Sequence, residues 1–192
     1  MALAETQALL ARLFTNDELR HEFFESPVAV ATRSGLSMHD TQRLAALDRR
    51  EMDAFARSLI GKRTLYARNA LPLTARALGD QFDALLREAI RGRAQDGASA
   101  GDAAALVELL EKRRAQRELE PVWIVDLARF EVAFIDAGPS ELTLFFRRFD
   151  FDVASITTSL ARGQEVSVCR KRTLGVWSRP PRGRLRWRLF TL

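Results

Sequence analysis

The chain has 192 residues, 47% of them hydrophobic and 29% charged, with a formal net charge of +5. This is the composition of a soluble globular protein with enough chain for one core or two small ones, and it excludes a disordered polyelectrolyte. No apolar run approaches the ~20 residues that span a bilayer, and the N-terminus carries an early acid and no basic n-region, so no membrane partner and a cytoplasmic location are expected.

The charge is unevenly placed. Residues 162–192 hold nine Arg or Lys against the single acid Glu165, a net of +8, while residues 1–161 sum to −3. The chain has 27 arginines and three lysines. Base composition alone can enrich arginine, so the positions of the arginines carry more information than their number. A basic segment following a near-neutral body suggests a surface for something extended and anionic or polar.

Apolar residues at helical spacing predict a first helix over 3–14, with Leu3, Leu9, Leu10, Leu13 and Phe14 along it. Asn16 or Thr15 caps a second, DELRHEFFES, with Leu19, Phe23 and Phe24 on one side. Pro27 suits the first turn of a short third helix that stops at Gly35. Ser37 with Asp40, and Asp48 with Glu51, have the spacing of capping boxes that open two further helices. In the longer of these, Met52, Phe55, Leu59 and Ile60 form the expected buried stripe. Pro72 opens LPLTARALGDQFDALLREAI as one helix, with Leu73, Ala77, Leu78, Phe82, Leu85, Leu86 and Ile90 at spacings of three and four. Residues 92–101 read as a loop, and Asp102 as the cap of AAALVELLEKRRAQ. Pro121 opens PVWIVDLARFEVAFIDA, and Gly138-Pro139 closes it.

Beyond Gly138 the period changes from that of a helix to that of a strand. Leu142, Leu144 and Phe146 alternate with Thr143, Phe145 and Arg147, and Phe149 and Phe151 alternate with Asp150 and Asp152. A short helix over 153–161 ends at Gly163. TLGVWSR and RLRWRLF, joined by Pro180-Pro181-Arg182-Gly183, form a hairpin. The fold class expected is α+β: a mainly helical domain over 1–138, then a small basic strand-containing domain over 139–192 with a short antiparallel sheet.

Catalytic chemistry is not legible. The two histidines, His21 and His39, fall on different helices with no second ligand at metal-site spacing, so no metal site is expected. Cys169 is the only cysteine, which excludes an internal disulfide and a multi-thiolate site; it reads as an ordinary strand residue, with a reactive thiol beside cations as the alternative. Phosphate-binding, dinucleotide, nucleophile-elbow and zinc-protease motifs are absent. Glu108 with Glu111 fits a solvated helix face, and Asp150 with Asp152 an alternating strand. No catalytic residue and no cofactor is assigned, which favours a binding or adaptor role.

On RLRWRLF, period two places Arg184, Arg186 and Arg188 on one face and Leu185, Trp187 and Leu189 on the other. In the preceding arm Leu174 and Val176 share a face opposite Trp177 and Arg179. The functional reading is an apolar underside packed on helices and an Arg-lined outer face with Trp177 beside it. The candidate peptide- or partner-binding residues are thus Trp177, Arg179, Arg184, Arg186 and Arg188, since guanidinium groups fork onto carboxylates and phosphates and stack on aromatics. The structural reading is an edge strand whose charges oppose aggregation. Two ligands suit an Arg face: a nucleic acid held through its phosphates, or a peptide added along the hairpin edge with acidic side chains on the arginines.

Four segments, FARSLIGKR (55–63), LPLTARALGDQFDALLRE (71–88), WIVDLARFEVAF (123–134) and LGVWSRPPRGRLRWRLF (174–190), together resemble the HvfC, BufC, TglI and MbnC-like proteins. These are bacterial partner proteins of multinuclear non-haem iron oxidative enzymes that modify ribosomally made peptides. The resemblance covers residues about 50–190. LRHEFFESPVAVATRSGLS (19–37) is similar to the helical unit of Nif-type leader peptides and LigA-like small subunits, and equally to any helix opened by proline and closed by glycine. The resemblance implies a helical N-terminal domain joined to a smaller α/β region. It also implies a non-catalytic subunit that binds the iron-dependent oxidative enzyme and helps recognise the leader of its precursor peptide, with the iron ligands on the enzyme. The basic SVCRKR stretch (167–172) departs from that pattern. The alternative reading is a nucleic-acid-binding regulator that uses the basic C-terminal region.

Overall fold

The computed structural model describes residues 2–93, 99–138, 143–168, 170–181 and 183–192. Within these, ten helices precede or flank a three-stranded antiparallel sheet, so the fold is α+β, with the helices mostly N-terminal and the sheet at the C-terminal end. The expectations placed on Pro139, Leu142, Cys169, Arg182 and the centre of the 92–101 loop (94–98) lie outside the described residues.

The first four helices, α1 (Ala2–Thr15), α2 (Asp17–Glu25), α3 (Pro27–Arg33) and α4 (Met38–Ala45), follow their local signals closely. The Asn16 side chain accepts from the Leu19 amide at 3.1 Å, and Ser37 Oγ accepts from the Asp40 amide at 3.2 Å while donating to its carboxylate at 2.7 Å. Each satisfies a donor that a helix N-terminus otherwise leaves orphaned. Gly35 takes φ 76° after α3, a left-handed conformation that side chains rarely adopt. Leu9, Leu13, Leu19, Phe23, Val30 and Leu44 bury together with Met52 of the next helix, forming a first core. Burying a side chain such as Phe23 contributes ~1.5–3 kcal/mol.

Helix α5 (Arg49–Ala70) starts at the Asp48 cap, whose carboxylate accepts from the Glu51 amide at 3.0 Å. Its buried stripe differs from the one expected. Met52, Ala56, Arg63 and Ala67 face inward, whereas Phe55 is exposed and packs on Phe14 with ring centroids 4.7 Å apart, and Leu59 and Ile60 are half-buried. The two alanines let neighbouring helices approach. Arg63 is buried because Asp102 receives its guanidinium in a two-point pair, Nε at 2.9 Å and Nη2 at 2.6 Å. Asp102 is therefore not a cap. It lies inside α8 (Ser99–Ala115), and its charge is used across the core.

The single helix expected from Pro72 is two. α6 (Pro72–Leu78) ends at Gly79, whose φ of 54° and ψ of −126° break the helical ladder, and α7 (Gln81–Ala89) resumes in a new direction. The apolar residues on both sides of the break, Leu78 with Phe82, Leu85, Leu86 and Ile90, still enter one core shared with Leu106, Leu110, Ile124 and Val125.

Helix α9 (Ile124–Asp136) begins three residues after Pro121, the intervening residues forming a turn. It is buried almost all round, as a helix inside a protein must be if apolar on every face. Val125 and Ala128 belong to the helical core, Phe130 and Ala133 meet the sheet, and Leu127 meets α10 (Val153–Ala161). The sheet, in spatial order β1 (Thr143–Phe151), β2 (Arg170–Arg179), β3 (Arg186–Thr191), is antiparallel throughout and lies against α9.

Two buried carboxylates fix this junction. Glu131 of α9 accepts from the Leu73 and Thr74 amides, both at 2.8 Å, and so caps α6 from a distance. Asp126 accepts from the Asp150 and Phe151 amides at 2.6 and 3.1 Å, where the β1–β2 register shifts between Phe149 and Phe151. Burial pushes both carboxyls above their ordinary values, and the backbone amide hydrogen bonds act in the opposite direction.

Candidate binding surface

The sheet has two unlike faces. Cross-strand rows follow from the register: Leu144–Ser178–Arg186, Phe146–Val176–Arg188 and Arg148–Leu174–Phe190 share one face, and Phe145–Trp177–Trp187 lies on the other. Side chains alternate strictly along strands, so each row belongs wholly to one face.

The inner face is an aromatic packing surface on α9. Trp177 is fully buried, stacked on Phe145 at 5.4 Å and 7°, with Phe130 and Phe134 at 5.9 and 5.8 Å. Trp187, its cross-strand partner, meets Phe130 and Phe134 edge-on at 5.6 and 5.5 Å. Gly175 makes room for this: a Cβ there would overlap the six-membered ring of Trp177. The expectation that Trp177 stands beside the Arg face is thus corrected. In β2 the large aromatic takes the core side, and Leu174 and Val176 take the outer one. Arg179 also leaves the candidate surface, because its Nη1 donates to the Gly138 carbonyl near the end of α9.

The other three candidates remain together. Arg186 and Arg188 are exposed on the outer face, and Arg184 is exposed in the segment leading into β3. None of the three makes a side-chain hydrogen bond or ion pair with another described residue. Arg148 joins them from β1, again exposed and without such a partner. The apolar members of this face are Leu144, Phe146 and Phe190, exposed to 65%, 54% and 46%, with Leu174 and Val176 half-buried between them. Arg148 and these five apolar residues were not among the candidates. The available signal was a β1 sequence apolar in both phases, Leu144 and Phe146 in one and Phe145, Phe149 and Phe151 in the other, which marks a strand with two apolar faces.

Compared with family models, curated proteins and solved structures, the chain matches none. The surface therefore has to be interpreted from its own chemistry.

Elsewhere the charges are used differently. A groove of about 1000 Å³ between α5, α7 and the α1–α2 turn is lined by charged residues. Three of its five arginines are engaged: Arg20 with Asp17 and Asp53 at 2.7 and 2.6 Å, Arg68 with Asp83 at 2.7 Å, and Arg91 with Glu18 at 3.3 Å; Arg57 and Arg87 have no side-chain partner among the described residues. His21 and His39 are both exposed, and His21 lies between Glu25 at 2.9 Å and Arg49 at 2.7 Å. Among the described residues no group of three or more His, Cys, Asp or Glu side chains could hold a metal ion, and no helix is long and apolar enough to cross a membrane.

Proposed function

We propose that this chain is a non-catalytic partner subunit, acting in the cytoplasm, that binds a multinuclear non-haem iron oxidase and helps recognise the leader of its precursor peptide during ribosomal peptide modification. The resemblance of residues about 50–190 to such partner proteins supports the reading. The observation that carries it is the set of exposed arginines, Arg184, Arg186 and Arg188, with no partner among the described residues. A guanidinium left free on a sheet contributes little to the fold and is available to a carboxylate of another chain. The helical body supplies the candidate surface for the oxidase. Bond-making chemistry, cofactor and iron are assigned to the companion enzyme.

Co-expression with the companion oxidase and precursor tests this. Capture of both proteins by the tagged chain, and loss of peptide modification when the chain is omitted, are the expected results. Full oxidase activity without it, and no complex, would reject the proposal.

A second reading is favoured by the +8 net charge of residues 162–192: a nucleic-acid-binding regulator. It requires an affinity whose logarithm falls linearly with log salt and weakens when Arg184, Arg186 and Arg188 are replaced by alanine. Indifference to those replacements removes it.

A further inference from the structure

The outer face of the sheet has a geometry more specific than a basic patch. Its apolar side chains do not fill the face; they run across it diagonally. Leu144 lies in the first row of β1, Phe146 in the second, Val176 beside it on β2, Leu174 one row further, and Phe190 beside that on β3. With strands ~4.8 Å apart and a rise of ~3.4 Å per residue, the band is ~17 Å long. That is about three turns of an α-helix. Cations flank the diagonal: Arg186 and Arg188 lie on one side and Arg148 on the other, with exposed Arg172 nearby in the stretch of β2 where the register shifts. None of these four arginines has a side-chain partner among the described residues. The acid in the same phase of β1, Asp150, lies 3.7 Å from Arg114 at the far end of the strand.

We infer that this face docks an acidic amphipathic helix of a partner polypeptide, its apolar ridge along the Leu144–Phe146–Val176–Leu174–Phe190 diagonal and its carboxylates on both flanks. The inner face already shows how such a sheet is covered, since it is packed by one helix, α9. The outer face offers a second helix the same kind of seat with charge complementarity added. A second copy of this chain is disfavoured, because matching two such faces would set arginine against arginine. A nucleic acid would use aromatic platforms on neighbouring strands. Here Trp177 is buried, Trp187 lies on the opposite face of the sheet although 47% exposed, and the outer aromatics Phe146 and Phe190 stand on opposite edge strands in different rows. A bilayer would take a protruding apolar wedge, whereas this band lies between long arginine side chains, with Leu174 and Val176 half-buried at its centre. The inference rests on the chain being a binding partner, but not on which polypeptide supplies the helix.

The probe is a synthetic amphipathic peptide of about 18 residues, long enough to hold a helix in water, with a leucine ridge flanked by glutamates. Its counterpart has the same ridge flanked by lysines. Titration of the full chain is followed by amide chemical shifts. Expected are shifts concentrated at Leu144, Phe146, Leu174, Val176, Arg188 and Phe190, with the glutamate peptide bound at least about tenfold more tightly than the lysine one. Phe146→Ser weakens binding about tenfold; the side chain is exposed, and an unchanged circular dichroism spectrum verifies the fold. The double variant R186E/R188E reverses the preference between the two peptides, a result that a merely structural role for these arginines would not give. The inference is overturned if the two peptides bind alike, if the shifts map away from this face, or if an oligonucleotide or phosphatidylserine vesicles engage the same residues more tightly than the glutamate peptide. Failure of oxidase and precursor capture alongside normal glutamate-peptide binding would reject the proposed function and leave this surface intact; capture that survives R186E/R188E, without glutamate-peptide binding, would do the reverse.

Discussion

The paired arginines of the helical body and the arginines on the outer face of the sheet are used in opposite ways. In the body Arg20, Arg63, Arg68, Arg91, Arg93 and Arg113 each face a carboxylate, and Arg63 does so fully buried. On the outer face of the sheet Arg148, Arg186 and Arg188 face solvent beside exposed Leu144, Phe146 and Phe190. At these positions the same residue type is structural in the body and unengaged on the outer face, although Arg57 and Arg87 of the body are also unpaired among the described residues and Arg147 of β1 faces Asp136 at 3.2 Å. Removing a buried, paired cation costs stability, whereas removing an exposed one should alter only what binds.

The largest effect is expected at the Arg63–Asp102 pair. Arg63→Ala strands the Asp102 carboxylate in the core and should cost ~3–5 kcal/mol, read as a shift in the denaturation midpoint. Replacing both partners, R63M with D102L, should restore most of that loss, because no charge is then left buried. If the double variant is no more stable than the single one, the pair is not the source.

Next come Gly175 and Asp126, at the sheet–helix junction. Gly175→Ala drives a methyl group into the Trp177 ring and should cost ~1–3 kcal/mol, with loss of near-ultraviolet aromatic ellipticity. Asp126→Ala leaves the Asp150 and Phe151 amides without their acceptor and should cost ~1–3 kcal/mol. Asp126→Asn keeps a carbonyl oxygen there and should cost clearly less.

The two buried carboxyls set a pH dependence of known sign. Burial raises the folded-state pKa of Asp126 above the ordinary 3.8 and that of Glu131 above the ordinary 4.5. Each group's favourable contribution is then complete below its unfolded value and is lost as pH rises through the folded one. Denaturation measured across that interval should show Asp126→Asn falling less steeply with pH than the parent chain. Equal slopes would mean that the Asp126 carboxyl does not titrate differently in the folded state.

The smallest effect on stability belongs to the outer face. Arg186→Ala and Arg188→Ala should each change folding free energy by no more than ~0.5 kcal/mol, which thermal or chemical denaturation checks directly.

What was legible in the sequence was local. Asn16, Ser37 and Asp48 were recognisable as caps because the donors they satisfy lie within three residues. The helix-to-strand change after Gly138 was visible as a change of period. Features set by distant partners were not legible. Asp102 has the appearance of a cap, and only the approach of Arg63, 39 positions earlier, makes it half of a buried ion pair. Gly79 sits within an unbroken apolar repeat, so the turn between α6 and α7 leaves no trace in the spacing. Trp177 fell on the wrong side because Leu174 and Val176 also suit a core. The sheet is apolar in both phases, and the choice of face is made by Phe130 and Phe134 of α9. The alternation of RLRWRLF placed Arg184, Arg186 and Arg188 on one face, but whether that face is open or covered was not legible; the structure shows all three exposed.

The most direct test is to measure folding stability and precursor-peptide capture on the same R186E/R188E protein. The account predicts an unchanged denaturation midpoint together with loss of capture. Full capture by a protein that has lost stability would contradict it, placing these arginines in the architecture and the gripping surface elsewhere.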